Sequence, residues 1–401
     1  MTSTYSTDIA IFGGGIAGLW LLNRFQAAGY QAILLDTGGL GSGQTLASQG
    51  IIHGGLKYAL SGSLSNSANT IAGMPQRWRQ CLSGEDEVDL TDCRVLSENY
   101  YMWSDGGIRS KLKTFFGSKS LQGRVEALST DQYPAFFQQS IIKGSLYKLP
   151  DFVIDTASLL EVLSKKYQDR IFDLGSANYD FDFDDSGLAT SVSVTNGERS
   201  VCIKPQRFIF TAGKGNPSLI EKAKLQTVHC QLRPLKMTYL KSASLPEIFV
   251  HCIGDSFSLT PKLTVTSHKD SQDLTVWYLG GELAESGVDR SDSEQLQAAK
   301  SLLTSLFPWA NLEGAHWSCF DIDRAEPNMD SNFRPDDAIF IEEGLCIAAW
   351  PSKLTLSPSL ADKLIEHFAQ NSIHPSIHSP LEALSNILEP AGMAKSYWEA
   401  E

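Results

Sequence analysis

Asp8-Ile-Ala-Ile-Phe12, Gly13-Gly-Gly15-Ile16-Ala17-Gly18 and Gln31-Ala-Ile-Leu-Leu35-Asp36 form one stretch, residues 8–36, whose reading decides the fold. The first segment is a β-branched and aromatic run that reads as a fully buried parallel strand. Gly13, Gly15 and Gly18 then supply G-x-G-x-x-G at a strand-to-helix turn. Gly13 permits the tight turn, Gly15 lets backbone approach a pyrophosphate, and Gly18 lets helix pack on strand. Ile16, Leu19, Leu22 and Phe25 recur at helical spacing, and Gly29 stands where such a helix stops. The helix N-terminus would meet an anion with free N–H groups and a partial positive charge. Asp36 ends the second strand near the distance at which an acid meets a ribose hydroxyl. An acid there favours a ribose without a 2′-phosphate, hence FAD or NAD over NADP. The competing reading is a glycine-rich turn in an ordinary α/β sheet; the flanking strand, helix and acid together argue against it.

The whole chain narrows the class. Its 401 residues suffice for two domains, or for one large domain with an inserted partner, and 42% apolar with 20% charged content is ordinary for a globular protein. A formal net charge of −13 argues against a nucleic-acid surface and against general adhesion to anionic lipid, while leaving room for a basic pocket. The seven cysteines are scattered without a C-x-x-C pair and read as reduced, mostly buried thiols. Met1-Thr-Ser-Thr-Tyr-Ser-Thr carries no signal pattern, and no apolar run approaches transmembrane length. The expectation is a cytoplasmic protein; a peripheral membrane contact stays open, though no clear amphipathic anchor is seen.

Beyond Asp36, Thr37-Gly-Gly-Leu-Gly-Ser-Gly-Gln44-Thr45 leaves the strand that ends at the ribose, so its glycines read as backbone wrapping a ligand. The following Ser48-Gln49-Gly50-Ile51-Ile52-His53-Gly54-Gly55-Leu56-Lys57-Tyr58 resembles the flavin-contacting segment of FAD-dependent glycerol-3-phosphate dehydrogenases. More broadly it resembles the D-amino-acid oxidase superfamily, which includes 2-hydroxyglutarate dehydrogenases and sarcosine oxidases. The resemblance implies that this segment passes the pyrophosphate and runs beneath the isoalloxazine ring, and that Lys57 helps hold an anionic substrate.

Further along, residues 66–83 carry a helical pattern (Ile71, Met74, Trp78, Cys81), and the acidic Gly84-Glu-Asp-Glu-Val-Asp reads as a solvated loop rather than a metal site. Asp155 or Thr156 is the expected N-cap of a helix. Ile171-Phe-Asp-Leu reads as a strand whose end, near Ser176-Ala177, would pass the adenine. Turns at Asp185-Ser-Gly187 and Asn196-Gly197 predict a three-stranded meander beginning at Tyr179, and Arg207-Phe-Ile-Phe-Thr211 reads as a further strand that follows it. Thr211-Ala212-Gly213 resembles the family element that closes over FAD, and a second element of this kind favours FAD over NAD. Strands are expected near 231–240, 248–253, 263–266 and 274–279; the resemblance implies that the first of them opens the large antiparallel sheet that floors the pocket in the superfamily. A helix over 293–307 is expected to turn Leu296, Leu302, Leu303 and Leu306 inward. Arg334-Pro-Asp-Asp337 resembles the family's return to the FAD domain. Ser352-Lys353-Leu354-Thr355 resembles the segment whose lysine and threonine meet a substrate phosphate, although the glycines usual there are Pro351-Ser352.

The predicted architecture is α/β and α+β, a Rossmann-type FAD-binding domain with an interleaved antiparallel-sheet substrate domain. Residues 1–83, 151–225 and 321–370 are assigned to the first, 84–150 and 226–320 to the second, and 371–401 to a C-terminal helix and tail. FAD contacts are expected at Gly13, Gly15, Ile16, Ala17, Gly18, Asp36, Thr37, Gln44, Thr45, Ser48, Gln49, Gly50, Ile51, Ala177, Ala212, Gly213, Ser352, Lys353, Leu354 and Thr355; no metal site is expected. Lys57, Arg324, Arg334 and Lys353 are candidate substrate cations, and His53 a candidate proton acceptor or flavin-polarising group. His229 and His251 read as satisfied core histidines, Cys202 and Cys346 as packing residues. The expected activity is oxidation of a small anionic substrate at a C–OH or C–NH bond, with electrons passing to a quinone, oxygen or another acceptor. Glycerol-3-phosphate or a related phosphorylated polyol leads, ahead of a 2-hydroxy acid or an amino acid or amine. An RNA-modifying flavoprotein and a non-catalytic FAD-binding protein are the rivals from other classes; the charge counts against the first.

Overall fold

A computed structural model describes residues 3–55, 66–104, 125–141, 144–253, 261–328, 337–376 and 379–399. Lys57 and Arg334 lie outside them. The stretch 8–36 folds as its pattern demands. Strand Ser3–Phe12 is longer than its apolar core, helix Ile16–Ala27 follows, and strand Ala32–Asp36 pairs parallel with the first. Gly29 takes φ +88° just beyond the helix, where its N–H donates to Gln26 O and the Tyr30 N–H to Phe25 O. The helix is buried from Ile16 to Phe25, wedged between the sheet and helices Thr156–Lys165 and Ser357–Gln370. Asp155 caps the former by accepting the Ala157 and Ser158 N–H groups, at 2.9 and 3.2 Å.

One sheet runs Asn178–Phe183, Ala189–Asn196, Arg199–Phe210, Ser3–Phe12, Ala32–Asp36, Ile171–Asp173, with Cys346–Trp350 pairing beside Arg199–Phe210 and Ile339–Glu343 beyond it. The third meander strand and the expected 207–211 strand are one element. Arg199–Phe210 is antiparallel to 189–196 through its first half and parallel to Ser3–Phe12 throughout. A second sheet gathers Cys230–Ser242, Thr275–Gly280, Leu263–Lys269, Val250–Ile253, Tyr100–Ser104, Ser145–Leu149 and Glu126–Ala127, with His316–Pro327 on its edge. It is not wholly antiparallel: Val250–Ile253 runs parallel to Tyr100–Ser104, where two separate excursions of the chain meet edge to edge. Strands Ile51–Ile52, Phe152–Ile154 and Val95–Ser97 form a small third sheet.

Three expectations are corrected. In helix Asp292–Leu306 the buried positions are Gln295, Ala299, Leu303 and Leu306, while Leu296 and Leu302 are half-buried. Gln295 takes an inward place because its amide donates to Lys236 O and Leu283 O, which leaves no buried donor unmet. The acidic run is more than solvated loop: Arg77 pairs with Asp86, Glu87 and Asp362, and Arg24 with Glu87 and Asp362, tying helix Asn66–Leu82 to helix Ser357–Gln370. No group of three metal-ligating side chains occurs among the described residues. The segment 379–399 is not a loose tail. It bridges to Phe172 and Leu40, then lays Tyr397 flat on Phe320 at 3.7 Å and buries Trp398 against Tyr239, Tyr278 and His268. The seven cysteines are free, four of them buried. Among the described residues no helix is long and apolar enough to cross a membrane.

Candidate functional site

Three glycines shape the first wall. A methyl group on Gly18 would lie 1.9 Å from Gly13 O, and one on Gly13, already at φ +109°, would lie 2.5 Å from Ala212 Cα. Gly15 is different: a methyl there would meet only Thr45 Oγ1, at 3.2 Å, so its face is open. The helix beginning at Ile16 has no side-chain cap and no acid in its first turn, which includes Ala17; the Ile16 N–H donates to Thr45 Oγ1 at 2.9 Å. An open glycine face before the acid-free N-terminus of a 12-residue helix fits a bound pyrophosphate. Asp36 stands at the C-terminal end of the next strand, one carboxylate oxygen accepting Gly14 N–H (2.7 Å) and the other Gly38 N–H (3.2 Å). Thr37 is exposed beside it, and Ala177 is partly buried on the turn after Ile171–Asp173.

The loop from Gln44 to Ile51 runs from the start of helix Ile16–Ala27, bonded at Thr45, to the second large sheet. Gln44 Oε1 accepts Ala325 N–H (3.1 Å) and borders Gly213, while the Ala212 N–H donates to Asn216 Oδ1 at 2.7 Å. The Ser48 hydroxyl donates to Thr45 O at 2.8 Å, and Gln49 Nε2 donates to Tyr278 O at 2.9 Å. At Gly50, φ +68° and an approach that would put a methyl 2.1 Å from Ile154 O leave room for glycine alone.

Ile51–Ile52 then leads to His53, and the C-terminal segment meets it there. The His53 N–H donates to Thr355 Oγ1 (3.2 Å), the Thr355 hydroxyl donates to Ile51 O (3.3 Å), and Trp78 Nε1 donates to Thr355 O (2.9 Å). Thr355 is fully buried and its hydroxyl holds the 51–53 segment. Ser352 adopts φ +61° and Lys353 precedes the turn Leu354–Leu356 that opens helix Ser357–Gln370. A left-handed backbone of this kind is one that glycine takes at no steric cost and that serine seldom adopts. Gly55 N–H donates to His53 Nδ1 at 3.2 Å, so the neutral ring carries its proton on Nε2. That tautomer suits a hydrogen-bond donor rather than a base. Arg324 lies opposite Arg233 in register, with Nη1 3.6 Å from Glu285 Oε1, one residue before the backbone amide that Gln44 accepts.

One group escaped the sequence reading. Asp151 is buried and its Oδ1 accepts Gly54 N–H at 2.9 Å. Burial pushes its carboxyl up to about 7, against the opposing pull of the Gly54 amide. The available signal was an acid between Pro150 and the apolar Phe152-Val-Ile run. His251 behaves as the core histidine expected: its Nδ1 lies 3.0 Å from Thr264 Oγ1, and burial lowers it to about 4.

A Rossmann-type nucleotide wall joined to a second large sheet defines a flavoprotein oxidoreductase fold, and comparison with known proteins gives the family. Residues 8–366 match the family described as FAD dependent oxidoreductase (DAO), and the chain belongs to it. The probable FAD-dependent oxidoreductase PA4991 of Pseudomonas aeruginosa is 39% identical over 394 residues, 98% of both chains. Its crystal structure superposes with a TM-score of 0.84, at 34% identity over 99% of each chain. More distant likenesses in fold include FAD-bound L-α-glycerophosphate oxidase of Mycoplasma pneumoniae (TM-score 0.62, 12% identity, 90% of this chain and 94% of that). Glycine oxidase of Geobacillus kaustophilus has a TM-score of 0.64 at 13% identity, over 94% and 100%. The protein is thus an FAD-dependent oxidoreductase, and FAD supplies its redox chemistry.

Proposed function

We propose that this enzyme oxidises a small anionic substrate at a C–OH or C–NH bond by hydride transfer to flavin N5, with glycerol-3-phosphate or a related phosphorylated polyol as first candidate. Supporting this is one observation above all: Thr355 joins Ile51 and His53 across 302 residues of sequence, so the Lys353 segment and the His53 loop share one place. In this reading the glycine wall and Asp36 hold the nucleotide half of FAD, and the His53 and Lys353 segments flank its ring. Lys353, Arg324, Lys57 and Arg334 supply positive charge for the substrate, and His53 donates a hydrogen bond from Nε2. The division into FAD-binding segments 1–83, 151–225 and 321–370 and substrate segments 84–150 and 226–320 belongs to the same proposal, as do a cytoplasmic location and transfer of electrons to a quinone, oxygen or another acceptor.

Arg324 also accommodates a second substrate class. Its planar fork matches a carboxylate, as in a 2-hydroxy acid or an amino acid, bidentately, as it does a phosphate. Glycerophosphate oxidase and glycine oxidase, both of this fold, take one class each by name. An anaerobic screen that follows loss of flavin colour separates them. Bleaching by glycerol-3-phosphate supports the first candidate; bleaching by carboxylates while every phosphorylated polyol fails removes it.

A further inference from the structure

Asp151 stands where the small sheet runs out. Ile52 pairs with Phe152, and one step further the chain at Gly54 meets no strand carbonyl; the Asp151 carboxylate takes that place at 2.9 Å. The turn it holds is built on short spacings. Gly55, at φ +65°, returns its N–H to His53 Nδ1, and the far side of the turn is anchored by His53 N–H on Thr355. Pro75 and Pro150 side-chain carbons lie 3.6 and 3.8 Å from where a methyl on Gly54 would be, so the turn is also packed from outside.

We propose that Asp151 is the positioning residue of this loop: its carboxyl holds Gly54 and, through Gly55, fixes the tautomer and direction of His53. The assignment rests on the reading of His53 as a group facing the flavin. A buried carboxylate this close to the ring loop also makes the loop responsive to pH, since burial holds the carboxyl near neutrality. Among the described residues the ionisable groups around it are His53 in the turn and Tyr100 on strand Tyr100–Ser104. The Tyr100 phenol is raised well above its ordinary value by burial, with contributions from Cys252 and Asp151. Among the described residues Asp151 forms no ion pair that would pull it back down.

The test is a pH titration of the visible spectrum of the FAD-loaded enzyme, wild type beside Asp151→Asn and Asp151→Ala, with kcat and KM once a substrate is found. The wild type should show a reversible transition within about one unit of neutral pH, and D151N, which keeps an acceptor but cannot ionise, should lack it. D151A should lose about ten- to a hundredfold in kcat with little change in KM, and D151N should recover most of that loss. Should D151A fail to fold, near-isosteric D151N decides through the spectrum. A wild-type spectrum flat between about pH 5 and 9 overturns the assignment, as does a transition that survives in D151N. So does a D151A enzyme with unaltered spectrum and kcat. A wrong substrate class leaves the spectral arm intact, so the two readings fail separately.

Discussion

At the scale of single residues, the glycines of the first turn do different jobs and should fail differently. Gly18 and Gly13 are walled by backbone, so an alanine at either place forces the strand, the helix and Ala212 apart. Gly15 meets only a threonine hydroxyl, and its φ of −79° suits any residue. Gly15→Val should therefore fold with a near-normal melting temperature yet lose tenfold or more in FAD affinity, while Gly18→Val should not accumulate as folded protein; FAD titration and thermal melts check both. Buried titratable groups give a second expectation. The folded-state value of Asp151, about 7, lies above that of an unfolded carboxyl. The stability it contributes is complete below about pH 4 and is lost as pH rises through about 7. His251 and His268, held down near about 4 by burial, act oppositely: their contribution is complete above about 6.5 and is lost as pH falls through about 4. Melting temperature against pH should thus fall on both sides. D151N should melt higher than the wild type at pH 8 and match it near pH 4, since only the ionised carboxylate is penalised.

Among elements, the strap 379–399 lies beyond the family-matched residues and touches both large sheets. Leu40 N–H donates to Gly392 O and Ala394 N–H to Leu40 O, which clips the strap onto the loop after Asp36. The Tyr397 hydroxyl donates to Ser42 O, and Lys241 Nζ donates to Trp398 O from the far sheet. Trp398 is the buried anchor, with a neighbouring ring, that of His268, at 4.7 Å. Trp398→Ala should cost about 3–5 kcal/mol in denaturant unfolding. It should also speed FAD release, because the loop beside the nucleotide wall loses its clip; stopped-flow fluorescence of released flavin measures this.

On the scale of the whole molecule, the chain crosses between the two large sheets several times, and the strap 379–399 is bonded to both, at Phe172 of the first and at Lys241 of the second. Sheets connected in this way cannot melt apart without breaking the strap that joins them. Calorimetry should show one transition for the holoenzyme, shifted upward from the apoprotein by about 2.7 kcal/mol of stability at a hundredfold excess of FAD over Kd. Two separated transitions in the holoenzyme would contradict a shared core.

The local pattern of residues 8–36 determined by itself the strand, the glycine turn, the buried helix and the acid at the next strand end, because each follows from spacing and backbone sterics within one contiguous segment. The Asp155 cap and the inward Ile71, Met74, Trp78 and Cys81 were legible for the same reason. What only the tertiary structure decided are contacts between segments remote in sequence: Thr355 on His53, Asp151 under Gly54, Gln295 turned inward, and the aromatic seating of the strap. A buried polar group is tolerated only where its partner waits, and that partner is placed by the folding of the rest of the chain.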